Sequence, residues 1–156
     1  MGSVVAALVK ACQKSLVSDS VIPSHPWLVR KGGHVFLQSY PARFSDEELA
    51  VFLDYIHALP PILPAPYGWV IELGGIFRAS MRQRKAVQAR QDENLEISRR
   101  NNAGTAIVAD NAIKRGLVRA TYLMKAQVFP VKVVSSVDEG IEWVRSQLAQ
   151  RGVDAR

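Results

Sequence analysis

The segment YGWVIELGG, residues 67–75, decides the fold that this sequence predicts. Residues 67–73 form an apolar run of strand length, and the two glycines after it are a turn signal. Residues 78–100 follow without glycine or proline, so they predict one long helix. Because a strand, a glycine turn and a helix form half of a repeating α/β unit, the sequence predicts an α/β fold.

The rest of the chain repeats this alternation. Gly32-Gly33 predicts a hairpin between two early strands. The strands are expected at residues 27–31, 34–40, 67–73, 104–109 and 129–134, and the helices at residues 45–59, 78–100, 110–126 and 136–151. In the third helix, the apolar residues at helical spacing are expected to face the core: Ile113, Leu117, Ala120 and Met124.

These elements predict a mainly parallel sheet of about five strands, with an antiparallel hairpin at its N-terminal edge and helices packed on it. Residues 67–73 and 104–109 should be neighbouring parallel strands. Three parts are expected: an N-terminal helix and linker over residues 1–22, the domain over residues 23–152, and a frayed tail over residues 153–156.

The composition fits one folded domain. The chain has 156 residues, of which 48% are hydrophobic and 22% are charged. Cys12 is its single cysteine, which excludes a disulfide within the chain and fits a cytoplasmic location. Residues 4–17 are too short, and too often interrupted by polar residues, to span a membrane. They also lack the charged start and the clean apolar core of a signal peptide. They predict a helix that packs on the domain or on a partner.

Four groups of residues support a resemblance to a known family. They are the opening hairpin, Glu72-Leu73-Gly74-Gly75 at the end of the central strand, residues 104–124 with Lys114-Arg115-Gly116, and residues 129–144. In these positions the chain resembles the STAS domain, the fold of the anti-sigma-factor antagonists. It resembles more closely the bacterial STAS-like proteins that are related to the lipid-binding CRAL-TRIO fold.

This resemblance implies a non-enzymatic regulatory module that binds a protein partner or another copy of the same chain, and that needs no cofactor. The relation to CRAL-TRIO proteins implies an alternative, a carrier of a lipid or another small apolar ligand. An enzyme whose site is assembled from scattered polar residues is a third alternative.

Ser80 and its neighbours form a candidate anion site. In STAS antagonists a serine at the start of the helix after the central strand is phosphorylated, so the resemblance implies that Ser80 is a candidate phosphoacceptor. Ser80 and Gln83 also have the spacing of a capping box, which is a purely structural role. Arg78 and Arg82 would lie at the positive end of the helix dipole, an arrangement that favours a bound anion.

Further basic residues predict a docking surface, consistent with a formal net charge of +6. The partner would be an acidic protein, a second copy of the chain or, peripherally, an anionic membrane. Aromatic residues are not interleaved for base stacking, which counts against nucleic acid. The histidines lack metal-ligand spacing, and dinucleotide and serine-hydrolase motifs are absent from the sequence. The predicted surface consists of Arg84, Lys85, Arg90, Lys114, Arg115 and Arg119.

Overall fold

The computed structural model describes residues 21–122 and 127–154. The predicted helix at residues 4–17, with Cys12, lies outside the described residues, and so does Met124. The strands are β1 (Leu28–Arg30), β2 (Val35–Ser39), β3 (Tyr67–Glu72), β4 (Asn102–Val108) and β5 (Val131–Val134). The helices are α1 (Asp46–Ala58), α2 (Met81–Glu93), α3 (Leu95–Asn101), α4 (Ala112–Tyr122) and α5 (Val137–Gln150), with a 3-10 helix at Gly74–Arg78.

The strands form one mixed sheet in the order β1-β2-β3-β4-β5. β1 is antiparallel to β2, and each later strand is parallel to its neighbour. Trp69 of β3 lies opposite Thr105 of β4, so the two predicted central strands are neighbours and parallel. The predicted α/β fold, with its mainly parallel sheet and antiparallel N-terminal hairpin, is confirmed.

The two faces of the sheet have separate cores because successive side chains of a strand point to opposite sides. Val35, Val70 and Ala106 pack with Val144 and Leu148 of α5 on one face. The connecting helices lie on the other face, since right-handed crossovers between consecutive neighbouring strands all fall on the same side. There the strand residues Ile71 and Ile107 pack in a cluster with residues of α1, α2 and α4.

The helix predicted over residues 78–100 is divided, and this part of the prediction is wrong. β3 leads into the 3-10 helix, and α2 begins only after Ser80. Asn94 separates α2 from α3 with a φ of −95° and a ψ of 6°, outside the helical region. Neither glycine nor proline marks this break, and α3 then runs directly into β4. The chain thus turns where it must return to the sheet.

The inward face predicted for α4 is also wrong. Ile113 is 77% exposed and Leu117 is 49% exposed, whereas Val118 is only 1% exposed. Ala120 is exposed as well. Apolar residues lie on both sides of this helix, and the side with Val118 faces the sheet. No helix among the described residues is long and apolar enough to cross a lipid bilayer.

Substitutions on the two sides of α4 should change the free energy of unfolding by different amounts. We expect Val118→Ala to lower the free energy of unfolding by about 2 kcal/mol, because it removes buried methyl groups and leaves a cavity. Ile113→Ala should change it by less than about 0.5 kcal/mol, because that side chain is in solvent. Urea unfolding of both variants measures the difference. A larger loss for Ile113→Ala would contradict the observed orientation of the helix.

Candidate functional site: a cavity beneath helices α1, α2 and α3

A cavity of about 410 Å³ lies between the sheet and the connecting helices. This volume is within the range of small-molecule binding sites. Its floor comes from β2 to β5, and its walls come from α1, α2, α3 and residues 127–129. The floor includes Gln38, Trp69, Ile71, Thr105, Ile107 and Val131, and the walls include Leu53, Ile56, Val87, Leu95, Ser98 and Phe129.

The composition of α2 explains why this space is not filled. Val87 is the buried residue of the helix, and most of its other side chains are polar or charged. A helix with so few apolar side chains cannot fill the volume between itself and the sheet. Polar contacts hold it to α1 instead: Gln83 Nε2 donates to Asp46 Oδ1 at 2.8 Å, and Arg90 pairs with Asp54.

Charged and polar residues of α2 form the exposed side of the cavity. Arg90 lines it and pairs with Asp54 of α1 and, at 3.0 Å, with Glu93. The hydrogen bond to Glu93 raises the pKa of Arg90. Glu93 also lies 3.3 Å from Nδ1 of His57 on α1. These four residues link α1 to α2 at the mouth of the cavity.

The deeper part of the cavity contains buried polar side chains on the floor. Asn102 Nδ2 donates to Thr105 Oγ1 at 2.9 Å, and Asn102 Oδ1 accepts the Gly104 N–H at 3.0 Å. Tyr67 is fully buried, and its hydroxyl has no hydrogen-bond partner of normal geometry among the described residues. Burial raises the pKa of Tyr67, and the nearby Ser98 hydroxyl lowers it by a smaller amount. Tyr67 therefore remains a neutral hydrogen-bond donor.

Ser80 has the capping role that its spacing allows. Its hydroxyl accepts the Gln83 N–H at 3.1 Å, and its own N–H donates to Gln83 Oε1 at 3.0 Å. Arg78 and Arg82 are exposed beside it. Both bonds of the capping box are made, and the phosphoacceptor and anion-binding roles stay predictions.

The basic residues predicted to dock a partner have different surroundings. Arg84 donates to the Phe77 carbonyl at 3.0 Å. Lys114 pairs with Asp110 at 2.8 Å, and this hydrogen bond lowers the pKa of Asp110. Arg90 belongs to the cavity mouth, whereas Lys85 and Arg119 are exposed. Arg115 lies 3.4 Å from the Ala109 carbonyl at the end of β4. The docking surface stays a prediction.

Sequence reasoning did not identify the polar floor of the cavity. One signal was available, because Gln38 and Thr105 occupy inward positions of strands that are otherwise apolar. In a strand buried on both faces, a polar residue in such a position needs a partner. Tyr67 gave no such signal, since tyrosine at the start of a strand is ordinary.

The described residues contain no group of three His, Cys, Asp or Glu side chains that could hold a metal ion. No family model matches the chain, and no curated protein matches it. The resemblance to STAS-like proteins therefore stays a prediction. The cavity is the feature of the described residues that best indicates a function.

Proposed function

We propose that this protein is a binding module that holds a small, mainly apolar molecule in the cavity beneath α1, α2 and α3. The observation that supports this most directly is the cavity itself, with about 410 Å³ of space over a floor formed by four strands. Side chains such as Trp69, Ile71 and Ile107 line it. A ligand there would make dispersion contacts that the walls otherwise lack, and it would lose its own apolar surface to the protein.

The contacts between α1 and α2 support an entry route. Surface ion pairs such as Arg90 with Asp54 contribute little to stability, because water solvates the separated charges well. Val87 is the buried residue of α2, so few apolar contacts oppose a small outward movement of this helix. A ligand could enter between α1 and α2 without unfolding the sheet.

The regulatory alternative has separate support on α4. Ile113 and Leu117 place apolar side chains in solvent, where a protein partner or a second copy of the chain would cover them. A binding module of this kind could also pass ligand occupancy to a partner. The mass of the purified protein in solution, with and without Ile113→Ser, tests self-association through this helix.

A substitution that places a larger side chain in the cavity tests the ligand-binding proposal. We expect Val87→Phe to weaken the binding of Nile red, a neutral apolar dye, by about tenfold, because the larger ring occupies ligand space without disturbing a close-packed region. Val51→Phe is the matched control, since Val51 is 62% exposed on α1. Fluorescence titration of the purified full chain measures both affinities.

Equal dye binding by the two variants would contradict the proposal, and so would absence of binding to the wild-type protein. Solvent extraction of the purified protein followed by mass spectrometry adds an independent observation. A co-purifying apolar molecule in stoichiometric amount would identify the natural class of ligand. The Val87→Phe protein should lose that molecule, and the Val51→Phe protein should keep it.

A further inference from the structure

The Tyr67 hydroxyl is a buried donor for which the described residues provide no acceptor at normal hydrogen-bond geometry. Its side chain is fully buried and lines the cavity, and no hydrogen bond of normal geometry is made to it among the described residues. Folded proteins rarely leave such a group unpaired, because its hydration is lost without replacement. A ligand atom in the cavity is a suitable partner.

The Thr105 hydroxyl provides a second donor. The hydrogen bonds of the neighbouring Asn102 show that this hydroxyl accepts from Asn102 and keeps its own hydrogen free to donate. The Gly104 N–H can only donate, so the oxygen of the Asn102 amide must face it, at 3.0 Å. The amide nitrogen of Asn102 therefore faces Thr105 Oγ1, at 2.9 Å, and donates to it. The hydroxyl hydrogen of Thr105 then has no acceptor among the described residues, and Thr105 lines the cavity.

The two donors lie on neighbouring strands. Tyr67 of β3 is opposite Asn102 of β4, and Asn102 bonds to Thr105 on the same strand. The adjoining side chains Ser98 and Gln38 are also uncharged, and both line the cavity. Among the described residues, the cation that lines the cavity is Arg90, and it is already paired with two carboxylates at the mouth. A carboxylate placed deep on the floor would therefore lack a cationic partner in the part of the chain that the structure describes.

From this arrangement, and resting on the proposed function, we infer that the cavity selects an amphiphile whose buried end is a neutral oxygen acceptor. The acceptor is the oxygen of a ketone, an ester or an alcohol, and the hydroxyls of Tyr67 and Thr105 donate to it. The apolar body of the ligand lies against Trp69, Ile71 and Ile107. A fatty acid in its ionised form is excluded from this position because none of the described residues on the floor would pair with its buried charge.

Three probes with the same number of carbon atoms test the selectivity: a medium-chain methyl ketone, the corresponding carboxylate and the unsubstituted alkane. Each is titrated against the full-length protein, and its displacement of Nile red is measured. We expect the ketone to bind at least about tenfold more tightly than the other two, since a site built to hydrogen-bond a polar group rejects analogues that cannot use it. Equal or tighter binding of the carboxylate at neutral pH would overturn the inference.

Two variants test the assigned donors. Tyr67→Phe and Thr105→Val remove one hydroxyl each and preserve shape, so each should weaken ketone binding several-fold and leave alkane binding unchanged. Tyr55→Phe is the control, because its hydroxyl donates to the Pro23 carbonyl at 2.6 Å and Tyr55 does not line the cavity. Unchanged ketone preference in Tyr67→Phe and Thr105→Val would overturn the assignment.

A second measurement separates this inference from the proposed function. The melting temperature of ligand-free Tyr67→Phe should equal or exceed that of the wild type, because the lost hydroxyl makes no hydrogen bond of normal geometry to the described residues. A clear fall would show that a protein group accepts that hydrogen bond, and it would contradict the inference. Failure of every probe to bind would instead refute the ligand-binding proposal, and the inference with it. Binding without preference among the probes would refute the inference alone.

Discussion

Gly74→Ala is expected to lower the free energy of unfolding by about 3 kcal/mol or more, through strain and overlap together. Gly74 has a φ of 48°, in the left-handed region that disfavours a side chain. A Cβ at this position would overlap the carbonyl oxygen of Tyr40, and it would lie 3.1 Å from the oxygen of Pro41. These atoms are backbone, so no side-chain rotation can relieve the contact.

The segment that the new methyl group would meet is held in place. The N–H of Gly75 donates to the Pro41 carbonyl at 2.8 Å, and the N–H of Tyr40 donates to the Glu72 carbonyl at 3.0 Å. These bonds join the segment after β2 to the end of β3. Moving the two backbones apart would break them, which is why the expected effect exceeds that of conformational strain alone.

Gly33→Ala is a matched control for the strain. Gly33 has almost the same φ, 49°, but nothing lies within 4 Å of the Cβ that alanine would add. We expect Gly33→Ala to lower the free energy of unfolding by about 1 kcal/mol, the usual cost of placing a residue with a side chain in the left-handed region. The difference between the two variants in chemical denaturation measures the overlap at Gly74. Equal losses would show that the backbone at Gly74 can move, which contradicts the prediction.

Gly68→Ala should have the second large effect: we expect overpacking to lower the free energy of unfolding by about 2–3 kcal/mol. Gly68 lies in β3 beneath α5, and a Cβ there would overlap Cγ1 of Val144 and lie 3.2 Å from the Gly104 carbonyl oxygen. Val144 is fully buried and β-branched, so it has little freedom to rotate away. The glycine is what allows α5 to pack closely on the sheet.

A double-mutant cycle tests this contact directly. Val144→Ala alone should destabilise the protein by about 2 kcal/mol, because it leaves a cavity under α5. In the double variant the Cβ added at position 68 should fill part of that space. The double variant should therefore lose less free energy of unfolding than the sum of the two single variants, by about 1 kcal/mol or more. Additive losses would show that Gly68 and Val144 do not share the space that the structure gives them.

The overall fold could be predicted from the sequence because its signals are local. The Gly32-Gly33 hairpin and the alternation of apolar strands with helices specified the five-stranded sheet and the neighbouring parallel strands. The capping signal at Ser80 was equally direct, since Ser80 and Gln83 form the box that their spacing predicts, and Ser45 and Glu48, at the same spacing, form another. Ser136 and Glu139 have the same spacing but form only half of such a box: the Glu139 N–H donates to Ser136 Oγ, whereas the Glu139 side chain accepts from the Ser135 N–H.

The break at Asn94 was not predictable from local signals. Residues 78–100 contain neither glycine nor proline, and their helix propensity is continuous. The chain must nevertheless return to start β4 beside β3, and that requirement comes from the sheet. The same break places Leu95 and Ser98 on the wall of the cavity.

The sequence by itself determined the order of strands and helices, because apolar periodicity and capping depend on residues close together in the chain. Only the tertiary structure decided that Val118, and not Ile113, faces the sheet, because both sides of α4 carry apolar residues and the packing selects one. The cavity was decided in the same way. Its volume remains because α2, which is attached to α1 by polar contacts, has too few apolar side chains to fill the space above the sheet. Its polar floor forms only when Tyr67 and Thr105 are brought together across β3 and β4.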